Sequence, residues 1–386
     1  MTYLVYHAIL WFARGQGLAA IEKSVTHSRF AHTLDRSRHL DRPMVDYMAE
    51  RETDARLRKK LGCTTEEELL DALGAEFYYL PGRDISQNEG FMPYYRGPQL
   101  SSTDSSRTCP FGIGFTRGAF DSKFSVDEAI EAPLAKVTTP KEILEHRWPT
   151  RADFDYSPLI EVAEAHKNRV LIGGLWTGIL GDAVRLYGYE RFLTDMALEP
   201  EMVHTLVNKL TDVYLDLNDM IFELLKGRLD IYFFGNDFGS QQSLLISKEM
   251  WHEFYFDNIR RLTDLAHSYN VVAMMHSCGA IAELIDPLID AGVDMLDPVQ
   301  TTAKGMSPRE LAERFGGRVV FHGGIDTQQV LPNGSPEEVE AHVDEVVSTL
   351  NGAGGYVASG SQLYGPDIPT ENIVAIYRRL GAGNLG

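Results

Sequence analysis

Val271-Val-Ala-Met-Met-His-Ser-Cys-Gly279 decides the fold of this 386-residue chain. Five apolar residues without alternation are what a strand buried on both faces looks like, and such strands belong to parallel sheets covered by helices. The run ends in a histidine, a serine, a cysteine and a glycine, so chemistry begins where the strand stops. Working outward, the pattern repeats. Short apolar runs at Met44–Met48, Ala75–Leu80, Arg169–Gly174, Leu229–Phe234, Met295–Leu296, Val319–Phe321 and Gly355–Ser359 alternate with helical segments, of which the last is Thr370–Leu380. Polar residues follow nearly every run: Trp176 and Thr177, Asn236 and Asp237, Asp297, His322 with Asp326, and Ser359-Gly-Ser361-Gln362. Gathering polar groups at the C-terminal ends of many parallel strands is the habit of a TIM (β/α)8 barrel. No GxGxxG follows a first strand and no GxxxxGK[ST] occurs, so an open nucleotide-binding sheet has no motif behind it.

The expected α/β architecture is thus one barrel over residues 41–386, with an N-terminal helical extension over 1–40 and long loops above its C-terminal face. Residues 18–40 carry apolar positions at helical spacing and read as a surface helix or a pair. The stretch from Pro81 to Asp121, rich in Gly, Pro, Ser and aromatic residues, reads as loops with short β pieces, a lid or wall in which Phe91 to Phe115 faces substrate. Thr64 or Thr65 caps a helix with glutamates in its first turn, so Glu66-Glu67-Glu68 is a surface helix start.

A net charge of -19 repels phosphate backbones and anionic bilayers, which excludes nucleic acid and membrane as expected partners. Three cysteines, Cys63, Cys109 and Cys278, with no CxxC, make a disulfide framework unexpected and point to a reducing cytoplasm. The apolar segment from Tyr3 to Ala13 is short and lacks a basic leader and a cleavage site, so it reads as no export signal. It is instead expected to pack on the barrel, to meet a second copy in a homodimer, or to lie upstream of the domain.

His276 and Cys278 stand two apart on an extended segment, so both can face the same side. Zinc accepts imidazole nitrogen and thiolate sulfur, and a catalytic zinc keeps one position open; a packed thiol beside a hydrogen-bonded imidazole has the same spacing. Asp237, in Gly235-Asn-Asp-Phe-Gly239, is a general base, a metal ligand or the group that orients His276. His322, before two glycines, is either catalytic or a capping residue. Trp176, Gln241, Asp297, Asp326, Ser361 and Tyr94 are the expected substrate-binding residues.

These motifs, with Ala291-Gly-Val-Asp-Met-Leu-Asp-Pro298, Gly323-Gly-Ile-Asp326 and Pro369-Thr-Glu-Asn-Ile373, make the chain similar to the uroporphyrinogen decarboxylase superfamily from about Arg29 to Leu380. That superfamily contains the haem-pathway decarboxylase and corrinoid-dependent methyltransferases, all on TIM barrels. Where the decarboxylase resembles Met-Arg-Gln-Ala-Gly-Arg, this chain has Asp46-Tyr-Met-Ala-Glu-Arg-Glu52, and its late histidine is replaced by the segment Ser359-Gly-Ser-Gln362. The methyltransferase branch looks closer, because there a His-x-Cys pair and a cysteine after the last strand bind zinc. His276 and Cys278 match the pair, whereas the last cysteine falls near Ser361, so either another residue such as Asp237 or His322 completes the site or the substrate is not a thiol. The resemblance implies methyl transfer between a small methylated substrate, an O-methyl and even a methoxyaromatic one, and a corrinoid carried by a partner protein. The competing expectations are decarboxylation of a small acid and a non-catalytic tetrapyrrole-binding barrel.

Overall fold

The computed structural model describes residues 25–36, 40–80, 93–98, 100, 107–119, 125–381, 383 and 385. The expectations for Tyr3–Ala13 and Phe91 lie outside the described residues. Eight parallel strands form the barrel: β1 (Met44–Val45), β2 (Phe77–Tyr79), β3 (Val170–Gly173), β4 (Ile231–Gly235), β5 (Val272–His276), β6 (Met295–Val299), β7 (Val320–Ile325) and β8 (Tyr356–Gly360). They hydrogen-bond in the order β1-β8-β7-β6-β5-β4-β3-β2. The remaining seam, between β1 and β2, is bridged by Glu76 N–H donating to the Val45 carbonyl at 2.8 Å. The fold is a TIM barrel.

Neighbouring residues on each strand serve two different cores. Met44, Phe77, Val170, Ile172, Ile231, Phe233, Val272, Met274, Met295, Val320 and Val357 fill the inside. Their neighbours Val45, Leu171, Tyr232, Phe234, Ala273, Met275, Leu296, Phe321 and Ala358 pack outward in the layer under the helices. Both sets are apolar, which is why the period of two is invisible in the sequence. The inward alternation continues upward into polar residues, to Asp46 after β1 and to Tyr79, His276, Asp297 and His322 within β2, β5, β6 and β7. The strand ends therefore lie one to four residues further on than the apolar runs indicated for β4 to β8. At β1 the reverse holds, since the ladder stops at Val45 rather than Met48.

The helix Val25–Leu34 lies across the opposite, N-terminal end of the barrel. Phe30 joins the interior cluster and meets Phe77 edge-on, ring centroids 6.0 Å apart. Arg29 pairs with Glu76 and donates to the carbonyls of Arg42 and Pro43, the residues just before β2 and β1. His27 lies 3.3 Å from Asp230, just before β4. This helix is part of the barrel's packing.

Between β2 and β3 the chain adds an antiparallel ribbon, Tyr94–Tyr95 against Phe154–Asp155, and a three-stranded sheet of Arg107–Thr108, Gly114–Ala119 and Ser125–Glu131. Phe111 is buried against Trp148 and Tyr214 in the outer core. Phe115 is buried there too, beneath the Arg107 guanidinium. These two rings stabilise the outer layer instead of forming the expected wall over substrate, because both are already covered. Glu68 completes a capping box with Thr65, and Glu67 pairs with Arg169, so the acidic run starts a surface helix as expected.

Candidate active site

The loops after β4 and β5 are stitched together. Asn236 N–H donates to the His276 carbonyl at 3.0 Å and Ala280 N–H to the Ser240 carbonyl at 2.8 Å. Phe238 N–H donates to Ser277 Oγ at 3.1 Å, and Cys278 N–H to Asp237 Oδ1 at 2.8 Å. Two glycines make the approach close enough. Gly279 sits at φ +86°, and a Cβ on it would stand 2.5 Å from the Gly239 carbonyl group. The glycines in Gly235-Asn-Asp-Phe-Gly239 and His276-Ser-Cys-Gly279 therefore bring Asp237 beside Cys278.

The result is three unlike donors at the barrel mouth. Asp237 Oδ1, His276 Nε2 and Cys278 Sγ all lie within 4.8 Å of one another. Nε2 is 3.3 Å from the sulfur and 3.4 Å from the carboxylate oxygen. Of the three, the Asp237 side chain is the most open, 57% exposed, against 17% for His276. Burial alone would lower the pKa of His276, but hydrogen bonds with Asp237, Asp297 and Cys278 outweigh it and hold the pKa well above the usual histidine value. The same network drops the Asp237 carboxyl to about 2, although desolvation opposes it. Burial pushes the Cys278 thiol up, with His276 working against the rise.

Behind His276 stands a buried relay of hydrogen bonds. Its Nδ1 is 2.7 Å from Asp297 Oδ2, and the other oxygen of Asp297 is 2.7 Å from His322 Nδ1. His322 Nε2 continues to Asp46 Oδ2 at 3.0 Å. Once the ring is neutral, as a bound metal would require, an acceptor on Nδ1 selects the tautomer in which Nε2 offers its lone pair to the mouth. With both nitrogens engaged and 1% of its side chain exposed, His322 supports other groups and is shut away from substrate. Desolvation works against its charge, yet the two flanking carboxylates raise its pKa to about 10.

The other expected residues sort by what their polar atoms do. Trp176 belongs to the mouth, its ring 5.4 Å from that of His276 and 5.1 Å from Phe233. Gly235 leaves room for it, because a Cβ there would stand 2.9 Å from the indole and 2.6 Å from His276 Cβ. Tyr79 meets Phe233 from the other side at 6.0 Å. The aromatic wall thus comes from the barrel strands and from Trp176. Asp297 is 4% exposed and gives its oxygens to the two histidines. Asp326 accepts the backbone N–H groups of Gln328, Gln329 and Val330, the duty of a turn. Ser361 is buried with Oγ turned to Thr327. Gln241 is exposed on the loop after β4, where its carbonyl accepts from Lys304 N–H. Tyr94 pairs with Asp155 in the ribbon and lies beneath Arg96.

Four site residues escaped the sequence reading of roles. Gln362 lies against the thiol, Nε2 to Cys278 Sγ 2.6 Å, and Gln300 Oε1 accepts from Gly279 N–H at 2.7 Å. Asp46 and Tyr79 stand at the far end of the relay. Gln300 and Gln362 carried only the signal of following an apolar run, and Asp46 and Tyr79 lay hidden inside runs read as strands.

The comparisons with known proteins follow this geometry. A family model described as uroporphyrinogen decarboxylase (URO-D) matches residues 129–380, more than half of the chain. The chain belongs to the URO-D family. Among solved structures, a methyltransferase from Methanosarcina mazei is 15% identical with a TM-score of 0.64, covering 93% of this chain and 99% of that one. At that identity the likeness is one of fold, and the shared fold spans nearly all of both chains. A Xanthomonas albilineans dihydropteroate synthase with 4-aminobenzoic acid is also similar, at 15% identity and a TM-score of 0.31, over 44% of this chain and 61% of that one. No curated protein matches this URO-D sequence. Among the described residues, no helix is long and apolar enough to cross a membrane.

Proposed function

We propose that this chain is a methyltransferase that moves a methyl group between a small methylated substrate and a corrinoid carried by a partner protein, with a zinc ion held by Asp237, His276 and Cys278. The observation that carries the reading is the donor set itself. One carboxylate oxygen, one imidazole nitrogen and one sulfur converge at the C-terminal mouth of a barrel, within 4.8 Å of one another. Three protein ligands of these types with room for a fourth group suit catalytic zinc. The Asp297 carboxylate behind His276 is the outer partner that such a ligand needs. Membership of the URO-D family and the fold shared with the M. mazei methyltransferase support the same class.

Zinc bound there would act as a Lewis acid toward a heteroatom of the substrate. The protein's own groups do the rest. Asp297 holds the Nδ1 proton of His276, so that Nε2 faces the reacting region. Trp176, Phe233 and Tyr79, packed edge to face, offer an apolar aromatic wall beside His276, which suits an O-methyl or methoxyaromatic substrate. Gln362 lies against the Cys278 sulfur from the β8 side. The position where a porphyrinogen decarboxylase carries its arginine motif is here opened by Asp46, buried against His322 and Tyr79. A substrate with many carboxylate arms would find no cation offered by that position.

The test is elemental analysis of the purified protein, followed by incubation of a methoxyarene with the protein and a reduced corrinoid protein. Stoichiometric zinc and release of the phenol support the proposal. Protein free of zinc that leaves every methoxyarene intact, or that releases carbon dioxide from a small acid without any corrinoid, refutes it.

A further inference from the structure

The buried polar line behind His276 runs on past its first partner to the other side of the barrel. Asp297 on β6, His322 on β7 and Asp46 after β1 follow one another at hydrogen-bond distance, and Tyr79 on β2 closes the line by donating its hydroxyl to Asp46 Oδ2 at 2.7 Å. We propose that Asp46 and Tyr79 are positioning residues for His276, acting through His322 and Asp297 to aim its Nε2 at the mouth. This deepens the zinc-holding role of His276 and rests on it.

The argument is an accounting of donors and acceptors. Asp46 accepts at Oδ1 from Tyr47 N–H, and at Oδ2 from Tyr79 and His322. An acceptor at that end demands N–H on His322 Nε2, and Asp297 demands N–H on its Nδ1. His322 is thereby a donor on both sides and occupies one oxygen of Asp297. The second oxygen is left to accept from His276 Nδ1. Every polar atom of the line is then engaged within it except Nε2 of His276, which faces Cys278 Sγ at 3.3 Å and Asp237 Oδ1 at 3.4 Å. Nothing in the fold needs such a row. The inward positions beneath it are filled by apolar residues, and buried ionic groups are often replaced by well-packed apolar ones without loss of stability. A row of costly groups with a single outlet is explained by what stands at the outlet.

Cobalt(II), followed by its thiolate absorption, is the probe. Asp46→Asn is expected to weaken cobalt binding by up to about 10-fold, the lower end of the penalty for losing the direct outer partner of a ligating histidine, because it acts through His322 and Asp297. Tyr79→Phe, which keeps the ring, should weaken it a few-fold. Tyr187→Phe serves as the control: it deletes a buried hydroxyl bond to Asp195 in the helical layer, so the melting temperature should fall while affinity stays within about twofold. Imidazole 15N shifts in the metal-free protein, recorded at a pH alkaline enough to leave His276 neutral, supply a second readout, with His276 as the Nδ1–H tautomer in wild type and losing that single state in Asp46→Asn. Wild-type affinity and an unchanged tautomer in Asp46→Asn overturn the proposal, however its melting changes. If wild type takes up no cobalt, the zinc reading fails, and the tautomer comparison alone decides this one. Should Asp46→Asn not fold, the same two measurements on Tyr79→Phe decide.

Discussion

Gly279→Ala tests whether the site depends on the close approach of two loops. Gly279 has φ +86°, where an L side chain costs about 1–2 kcal/mol. Its new Cβ would also stand 2.5 Å from the Gly239 carbonyl group, against 3.4 Å for ordinary contact. One loop must retreat by about 0.9 Å, an overpacking that costs about 1–3 kcal/mol more. That retreat stretches the 2.8 Å bond between Cys278 N–H and Asp237 Oδ1 beyond hydrogen-bond length and draws a ligand away. Gly62→Ala is the matched control, because Gly62 has φ +75° with nothing within 4 Å of a new Cβ, so only the backbone term applies. Thermal melting and cobalt(II) titration of both variants give the assay. The expectation is a larger fall in stability for Gly279→Ala, and weakened metal binding in that variant alone. Equal melting losses with equal cobalt affinities would refute the reasoning.

Other outcomes follow from the same geometry. Ser361→Ala should leave zinc content and affinity within about twofold, since its hydroxyl faces Thr327, and should cost about 1 kcal/mol in urea denaturation; loss of zinc would add Ser361 to the ligand set. Trp176→Ala removes a ring from the wall beside His276, worth about 0.5–1.5 kcal/mol, so KM for a methoxyarene should rise about three- to tenfold with zinc content unchanged. For pH, His322 is raised to about 10 in the fold, so its contribution is complete below the unfolded value near 6.5 and fades as pH climbs towards 10. Asp297 is depressed, so its contribution holds above about 4 and is lost in acid. Urea midpoints should therefore peak between about pH 4 and 6.5 in this respect, and His322→Gln should flatten the alkaline side; an unchanged slope would show that His322 is not held charged.

The apolar runs were legible because a strand buried on two faces has no choice but to be apolar. The same fact hid which side each residue faces, so Met274 and Met275 read alike although one lines the barrel and the other packs under helices. His276 and Cys278 were legible as a pair because extended spacing alone places them together. Asp237 as their companion was one alternative among three, and the glycine contact between loops that selects it is a tertiary fact. Asp297 and His322 were legible as site residues but not in their roles, since whether a carboxylate meets substrate or another side chain depends on burial. Phe111 and Phe115 misled because aromatic loop residues serve an outer core as readily as a binding wall.

The helix that lies across the N-terminal end gives the molecule a one-way geography. Phe30 and the apolar layers above it leave no path to His276 from below among the described residues. Whatever reaches His276, small molecule or protein-borne group, uses the same doorway. Under the proposed reaction the methylated substrate and the corrinoid would have to share that one doorway at the same time, so the partner's group would be the lid on the bound small molecule.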